Sequence, residues 1–492
     1  MNSEEDARQP ASTPGESSGA GHGRAFGLRL AQSAGINRAV AYAVMARLWQ
    51  LFTGPVTQLL IVFWFSRSTQ DYYYAFSSML GMQVFVELGL HVVLINLASR
   101  EWAHLTLVDG QISGDPQSLA RLVALGRMML KWYLSVAVIF AVTLTLAGLF
   151  YFRNIDHRRM AELATSETVG WIAPWICLVM LNALQLSLLP MTAMLEGCHQ
   201  LGPVNRVRFW QGVAGSFVVW ATISSGFGLW ALVGSAAVRT LGELYLVCGE
   251  FRQFFNVFRQ PKAAGIGLNW RNEVLPLQWR MAVQGAVAWG ANQMPVLVIL
   301  HFHPTTGEAG RLGMTWTILT AFQSASMALV DSRRPQFGSL IARQEFGELD
   351  RLFFRMTRNS ILLLAAALIS FIVAVAWIGS RNEWLFERLA GGMLHVVPTI
   401  VFSAAFLGFQ FVMCFGIYVR AHCRDPFLAM SVVSCATIAV LQLVLGRSYG
   451  STGVAVGYAL GVLGIQLPAA TLIWRWARRY WHMPVDSPQA QP

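Results

Sequence analysis

Residues 361–378 read ILLLAAALISFIVAVAWI, a run with no charged side chain. A helix rises about 1.5 Å per residue, so about 20 apolar residues cross the hydrocarbon core of a bilayer. The run lacks the apolar–polar alternation of a barrel strand, and lipid admits only helices or closed barrels. It therefore predicts a transmembrane helix, and comparable runs recur along the chain.

Composition extends this conclusion to the whole chain. Of its 492 residues, 55% are hydrophobic and 12% are charged, whereas soluble domains carry about 25% charged residues. One large core cannot bury this excess of hydrophobic residues, because single cores stop growing at about 250–300 residues. Membrane lipid must therefore be the solvent for most of the surface.

Twelve segments are long and apolar enough to be spans. They lie near residues 39–65, 73–98, 122–151, 169–195, 205–224, 227–248, 277–302, 312–331, 352–378, 393–419, 427–446 and 451–474. The predicted fold class is an all-α polytopic membrane protein with two six-helix lobes. Because six is even, the second lobe enters the membrane in the same direction as the first, as in a parallel repeat.

A connector at residues 249–276 separates the lobes, which cover residues 26–248 and 277–475. Residues 1–25 are rich in Ser, Gly, Glu and Pro, so we expect a disordered tail, and residues 476–492 form a second tail. Most of the 36 Lys and Arg residues lie in the tails and the even-numbered loops. Basic loops stay in the cytoplasm, which predicts that both termini are cytoplasmic.

The net charge of +11 is spread over these short loops. Nucleic-acid binding needs an exposed basic face, so the pattern disfavours nucleic acid and favours anionic lipid headgroups as partners. The six cysteines form no C-x-x-C pair, and we predict no metal site. A phosphate-binding G-x-x-x-x-G-K-[ST] loop is missing as well, and we expect no cofactor.

The first span carries a thin polar stripe. Arg47, Gln50, Gly54 and Gln58 recur at steps of three or four, which places them on one helical face. They are candidates for the lining of a substrate cavity, where Arg47 can contact a phosphate bidentately. The alternative is that Arg47 snorkels to the cytoplasmic surface.

Polar side chains also recur every four residues in the second span, at Gln83, Glu87 and His91. A charge inside a span is costly and usually faces the bundle interior or water. Gln83 is a further cavity candidate, and Glu87 and His91 are candidates for binding a proton or cation. The alternative is an interhelical hydrogen-bond pair that locks the packing.

The sixth and seventh spans contain two further patterns. Arg239 and Glu243 have opposite charges at i,i+4, which favours a structural ion pair. Gln284 and Asn292 lead towards Pro295 and are cavity candidates. Bent helices at matching positions of two halves point to a transport site. Pro295, and Pro55 in the first span, are therefore the candidate hinges.

Several stretches resemble a known family. Residues 71–80 read DYYYAFSSML, residues 85–90 read FVELGL, and residues 226–230, after Gly202-Pro203, read GFGLW. They resemble bacterial polysaccharide biosynthesis proteins, the O-antigen and exopolysaccharide flippases of the multidrug/oligosaccharidyl-lipid/polysaccharide (MOP) superfamily. The resemblance covers residues 36–475, although Asp71 stands where the family usually has a glycine or another polar residue.

The resemblance implies two lobes around a central cavity and alternating access in the bacterial inner membrane. The implied cargo is an undecaprenyl-pyrophosphate-linked saccharide for polysaccharide or lipopolysaccharide O-antigen biosynthesis, moved from the cytoplasmic to the periplasmic leaflet. It implies a transporter and not an enzyme, with glycan polymerase machinery as an expected partner. Arg47 is the best match to the cationic cavity of the family.

Two other functions remain open at this point. One is an integral-membrane glycan polymerase or ligase, which typically has a long periplasmic loop with Arg and His, whereas the odd-numbered loops here are short. The other is a MATE-like drug or cation antiporter, which favours acidic residues deep in the first lobe. Glu87 is the carboxylate best placed for that role.

Overall fold

The computed structural model describes residues 38–83, 90–108, 110–162, 169–259, 275–422 and 426–481. Within these ranges the chain is almost wholly helical, as the sequence predicts, and its strands form a two-stranded hairpin. The predicted tail at residues 1–25 lies outside the described residues.

The N-terminal half runs from α1 to a short 3-10 turn. Its elements are α1 (Arg38–Trp64), α2 (Arg67–Leu80), α3 (Leu90–Trp102), β1 (Leu105–Val108), β2 (Gln111–Gly114), α4 (Pro116–Glu162), α5 (Ile172–Gly197), α6 (Leu201–Ser224), α7 (Trp230–Leu244), a π-helical turn (Tyr245–Glu250), α8 (Arg252–Asn256) and the 3-10 turn (Val257–Arg259).

The C-terminal half is likewise helical. Its elements are α9 (Leu275–Asn292), α10 (Met294–Phe302), α11 (Glu308–Asp331), α12 (Arg334–Ala342), α13 (Phe346–Gly379), α14 (Trp384–Gly392), α15 (Val396–Ala421), α16 (Phe427–Ala459), a second π-helical segment (Leu460–Gln466) and α17 (Leu467–Trp481). The last helix extends into the predicted tail at residues 476–492.

Each of the twelve predicted spans contains helix. Among the described residues, six helical stretches are long and apolar enough to cross a bilayer, or seven when the bent pair α9–α10 counts as one span. Helices α1, α6 and α11 have the length of a span but carry charged side chains, such as Arg47, Arg208 and Arg311. The charged side chains make these three helices less apolar than the other spans.

The last two predicted spans follow each other directly within α16, and the helix is broken between them at Gly450. Its backbone has φ 60° and ψ −144°, a conformation that is essentially restricted to glycine. The carboxylate of Glu308, on the neighbouring α11, accepts a 2.7 Å hydrogen bond from the backbone N–H of Ser451. The break in the helix therefore leaves the backbone N–H of Ser451 in need of an acceptor, because a buried N–H must be hydrogen-bonded. Glu308 supplies that acceptor.

The β1–β2 hairpin is an element that the sequence reasoning did not predict. Leu105 pairs with Gly114 and Val108 pairs with Gln111 in an antiparallel register. The hairpin leads into α4, where Asp115 accepts a 2.9 Å hydrogen bond from the backbone N–H of Ser118. This bond to the charged carboxylate lowers the pKa of Asp115 and caps the helix.

Helix α4 is much longer than the predicted third span. It has 47 residues, about 70 Å at the usual rise, whereas the hydrocarbon core is about 30 Å thick. Its last turns therefore project beyond the bilayer on the side of the odd-numbered loops. They carry Arg158 and Arg159 to the C-terminal half.

The hydrophobic core is continuous between the halves on one side of the membrane. Tyr74 and Phe76 of α2 belong to the same buried cluster as Leu300 and Leu312 of the C-terminal half. A separate cluster, which includes Phe353, lies towards the opposite ends and consists of C-terminal residues. The halves therefore share a core on the side of the odd-numbered loops.

Gly148 allows α4 and α5 to approach closely. A Cβ at this position would lie 2.1 Å from Nε1 of the buried Trp175. Trp175 also packs on Phe76, with ring centroids 4.8 Å apart, so the indole has no room to move. The sequence carried no sign of this contact, because it depends on how the two helices cross.

We expect Gly148→Ala to destabilise the protein by about 1–3 kcal/mol, because the added methyl overpacks the α4–α5 contact. The melting temperature in detergent, followed by loss of monodisperse protein, measures the effect. Gly212→Ala is the matched control, since its Cβ would meet nothing within 4 Å. Equal melting temperatures for the two variants would contradict the packing argument.

Candidate functional site

Helix α2 lies between the two halves of the molecule. Tyr74 packs on α11, where a Cβ at Gly313 would meet the ring at 2.3 Å. Its hydroxyl donates a hydrogen bond of 2.5 Å to the Gln58 side-chain oxygen of α1. Gln58, a predicted cavity residue, therefore lies at the junction of α1, α2 and α11.

A buried ion pair lies one turn above this junction. Oδ2 of Asp71 accepts a 2.6 Å hydrogen bond from Nη2 of Arg159, and the two side chains are 1% and 9% exposed. The guanidinium also lies over the ring of Tyr72, 5.1 Å from its centroid. A buried pair is tolerated only when its remaining hydrogen-bonding capacity is satisfied.

The C-terminal half supplies part of that remaining capacity through its backbone. Oδ1 of Asp71 accepts a 2.6 Å hydrogen bond from the Gly310 N–H, and Nε of Arg159 donates a 2.7 Å bond to the Pro304 carbonyl. We call Asp71, Arg159, Pro304 and Gly310 the Asp71 cluster. It joins the ion pair of one half to the backbone of the other, at the ends that bear the odd-numbered loops.

Neighbouring contacts strengthen the same closure. Arg388 of α14 donates 3.1 Å bonds to the Val62 and Phe63 carbonyls at the C-terminal end of α1, which the helix itself leaves unpaired. Gln70 donates to the Gly392 carbonyl at 3.1 Å. Arg158 donates to the His301 carbonyl at 2.9 Å. Four loop regions therefore fasten the halves together on one side.

The other residues of the predicted stripe on α1 lie towards the opposite end of that helix. Arg47 and Gln50 are exposed, and a Cβ at Gly54 would meet nothing within 4 Å. The other face of α1 packs on α6, where the Trp49 indole donates to Ser216 at 3.3 Å. The stripe therefore begins at the junction with α2 and continues as an open polar edge.

Helix α1 runs without interruption through Pro55, the first candidate hinge. The seventh span, in contrast, bends by 47° between α9 and α10, and Pro295 lies in the first turn of the new helix. Asn292, at the end of α9, donates to its own helix at the Ala288 carbonyl, 2.7 Å away. Gln284 contacts Ser431 of α16 at 3.4 Å.

The bend of the seventh span lies against the end of α2, where the second span is interrupted. Helix α2 ends at Gly81, whose Cβ would lie 3.1 Å from Cγ of Gln293. The Trp289 indole donates a 3.1 Å bond to the Ser78 carbonyl nearby. Two interrupted helices, one from each half, therefore meet midway along the bundle.

The predicted second-span residues are partly visible. Glu87 lies outside the described residues, and Gln83 is half-buried at the last described position before it. His91 Nε2 lies 3.8 Å from Oε2 of Glu196. Glu196 in turn accepts a 2.5 Å bond from Arg208. Sequence reasoning missed this Glu196 partner, which is distant in the chain and comes from α5.

The ion pair that the spacing of Arg239 and Glu243 predicts is not formed, although both residues are described. Oε1 of Glu243 instead accepts a 3.3 Å bond from the Gln185 amide of α5, and its Oε2 is buried without a partner. Arg239 is exposed, and its carbonyl accepts a 3.0 Å bond from Gln211. The i,i+4 spacing places Arg239 and Glu243 on one face of α7. The crossing of α5 and α7, however, brings Gln185 to the Glu243 carboxylate.

The N-terminal half thus has two separate polar contacts between helices. One joins His91 of α3, Glu196 of α5 and Arg208 of α6, and the other joins Gln185 of α5 and Glu243 of α7. Among the described residues, no group of three or more His, Cys, Asp and Glu side chains has the arrangement of a metal site.

The fold can be compared with known proteins. The chain is a multi-pass membrane protein of helical architecture, and its fold is similar to that of solved transporter structures. It matches no protein-family model and no curated protein sequence. The assignment therefore rests on solved structures.

An inward-facing multidrug-resistance MATE family transporter of the MOP superfamily is similar at a TM-score of 0.58 and 12% identity, over 90% of this chain and 98% of that one. The lipid II flippase MurJ, in an inward closed conformation, is similar at a TM-score of 0.52 and 10% identity, over 90% of this chain and 89% of that one. At such identities the likeness concerns the fold.

We expect Asp71→Asn to weaken the closure by about 3–5 kcal/mol, because it leaves the Arg159 charge buried without a counter-ion. Hydrogen exchange at the Gly310 amide, which donates to Asp71, reports the opening. It should accelerate by at least about 100-fold.

Asp115→Asn is the control, since it neutralises an exposed carboxylate far from the interface. The double variant Asp71→Asn/Arg159→Gln removes both charges and should recover part of the protection. Unchanged exchange at Gly310 in Asp71→Asn would show that the cluster does not hold the halves together.

Proposed function

We propose that this chain is an alternating-access transporter that moves a lipid-linked saccharide from the cytoplasmic to the periplasmic leaflet. The observation that carries the proposal is the asymmetry of the interface. The halves are fastened by the Asp71 cluster at the odd-numbered loops, while the polar edge of α1 lies open towards the other end. With the predicted topology, this is a state open to the cytoplasm.

The contact between the two interrupted spans supports a rocking movement of the two halves about the middle of the bundle. Gly81 and Gln293 lie where α2 and the α9–α10 pair are already broken. Rocking of two rigid halves needs few backbone changes when they fall at existing breaks. The contacts at the odd-numbered loops include, beside the shared apolar core, hydrogen bonds and one ion pair that water can replace on opening.

The polar edge of α1 supports an amphiphilic cargo. Arg47 and Gln50 alternate with the exposed apolar side chains of Leu48 and Leu51 on the same helix. A saccharide crossing hydrocarbon would leave hydroxyls unpaired at several kcal/mol each, and polar side chains replace water for them. Arg47 can bind a pyrophosphate bidentately, while a prenyl tail such as undecaprenol stays in lipid.

A saccharide headgroup on a pyrophosphate carrier is the substrate class that this combination fits best. Glycan polymerase machinery on the periplasmic face is then the expected downstream partner. The chain itself would act in the bacterial inner membrane without covalent chemistry.

A second candidate function is drug or cation antiport. The polar contacts within the N-terminal half favour it, because Glu196 and Glu243 place carboxylates between helices and Glu243 has a buried oxygen without a hydrogen-bond partner. Cation exchange in the absence of lipid-linked saccharide would support this candidate.

We expect Arg47→Ala to slow saccharide-lipid translocation by about 10- to 100-fold, from the loss of a charged hydrogen bond worth about 1.5–3 kcal/mol. The assay is the movement of a fluorescent lipid-linked oligosaccharide across proteoliposomes. In cells, surface polysaccharide should disappear at an unchanged protein level. Arg121→Ala, an exposed arginine of α4, is the control.

The location of accumulated intermediates separates the functions. Cells without the protein should accumulate lipid-linked repeat units in the cytoplasmic leaflet. Accumulation in the periplasmic leaflet would favour a polymerase or ligase. Normal translocation by Arg47→Ala would remove Arg47 from the site.

A further inference from the structure

A cavity of about 470 Å³ lies in the N-terminal half, away from the interface between the halves. Helices α4 and α5, the π-helical turn and α8 form its walls. Its position is the end of the sixth span, where the chain passes into the connector. This is the predicted cytoplasmic edge of the bilayer. Its volume is within the range of about 300–1,000 Å³ that is usual for ligand sites.

Three departures from regular helix meet at this cavity. Pro190 lies inside α5 and lacks the N–H that would bond the preceding turn. Val247 and Cys248 belong to the π-helical turn, and such turns are frequent at functional sites. A Cβ at Gly126 of α4 would meet the Phe258 ring at 2.5 Å. Each departure lowers the stability of its own helix, and together they shape one space.

The lining divides into an apolar interior and a basic rim. The apolar part comes from the helices of the bundle and from the segment after the π-helical turn, and comprises Leu130, Leu188, Met191, Met194, Phe255 and Phe258. Two arginines, Arg127 and Arg252, complete the lining on the connector side, and the lining contains no carboxylate. Methionine side chains adapt to irregular apolar ligands.

The two arginines differ in their attachments. Arg127 donates a 2.7 Å bond to the Phe258 carbonyl, so it helps to hold the 3-10 turn over the cavity. Arg252 is exposed and has no hydrogen bond or ion pair to another described side chain. A positive charge beside an apolar cavity at a membrane edge matches a ligand with an anionic head and an acyl chain.

We propose that this cavity binds an anionic phospholipid of the cytoplasmic leaflet, with its phosphate at Arg252 and Arg127 and an acyl chain among the leucine and methionine side chains. Basic pockets between transmembrane helices on the cytoplasmic side have the charge for such headgroups. An inorganic anion would leave the apolar walls unused, and a neutral lipid would bring no negative charge to the exposed Arg252. The proposal does not depend on the transported cargo.

Cys248 provides a direct measurement in the unmodified protein. It lines the cavity and is exposed, whereas Cys198, Cys414 and Cys435 are buried. The experiment is alkylation of the detergent-solubilised full chain by a thiol reagent, with the Cys248 peptide quantified by mass spectrometry. Phosphatidylglycerol should slow the labelling in a saturable way. Phosphatidylcholine with the same chains, and inorganic phosphate, should not.

Arg252→Gln should weaken the protection by phosphatidylglycerol about fivefold, from the roughly 1 kcal/mol that one basic residue contributes near an anionic headgroup. Arg121→Gln, an exposed arginine of α4 outside the lining, is the control and should leave it unchanged. In native mass spectrometry, Arg252→Gln should retain less phosphatidylglycerol than the wild type, and Arg121→Gln should retain as much as the wild type.

Three results would overturn the proposal. Equal protection by phosphatidylcholine would indicate apolar filling without headgroup recognition. Protection by inorganic phosphate alone would indicate an anion site that needs no acyl chain. Labelling of Cys248 that no lipid slows, with wild-type melting behaviour, would show that the cavity does not take lipid.

Discussion

The arrangement of the two halves depends on satisfying one buried ion pair. Asp71 and Arg159 come from the same half, and each makes a further hydrogen bond with the other half, Asp71 from the Gly310 N–H and Arg159 to the Pro304 carbonyl. Removing charges from water costs several kcal/mol per ion, so an incomplete pair would not remain buried. Closure at the odd-numbered loops is therefore a condition for the pair as it is observed.

The long α4 makes that closure possible. A helix that ended at the bilayer surface would leave Arg158 and Arg159 short of the C-terminal half. By extending to Glu162, α4 brings the two guanidinium groups to the His301 carbonyl at the end of α10 and to the Pro304 carbonyl in the loop after it. On this side the apolar core is shared, and below it the open edge of α1 begins.

Two groups of helix irregularities coincide with the regions that we propose to act in transport and in lipid binding. The second and seventh spans are interrupted where they touch, at Gly81 and Gln293. The π-helical turn, Pro190 and Gly126 surround the cavity at the connector. Regular helix would be more stable locally, so such convergence indicates positions shaped by function.

The sequence by itself determined the fold class and the approximate spans, because an apolar run of about 20 residues has few other stable states in lipid. It also grouped Arg47, Gln50 and Gln58 on one face, since helical spacing is local. It failed where partners are distant. Glu243 meets Gln185 and not Arg239, His91 meets Glu196, and Asp71 meets Arg159. Only tertiary structure decided these pairs, because helix crossings bring together residues whose separation in the chain leaves no periodic pattern.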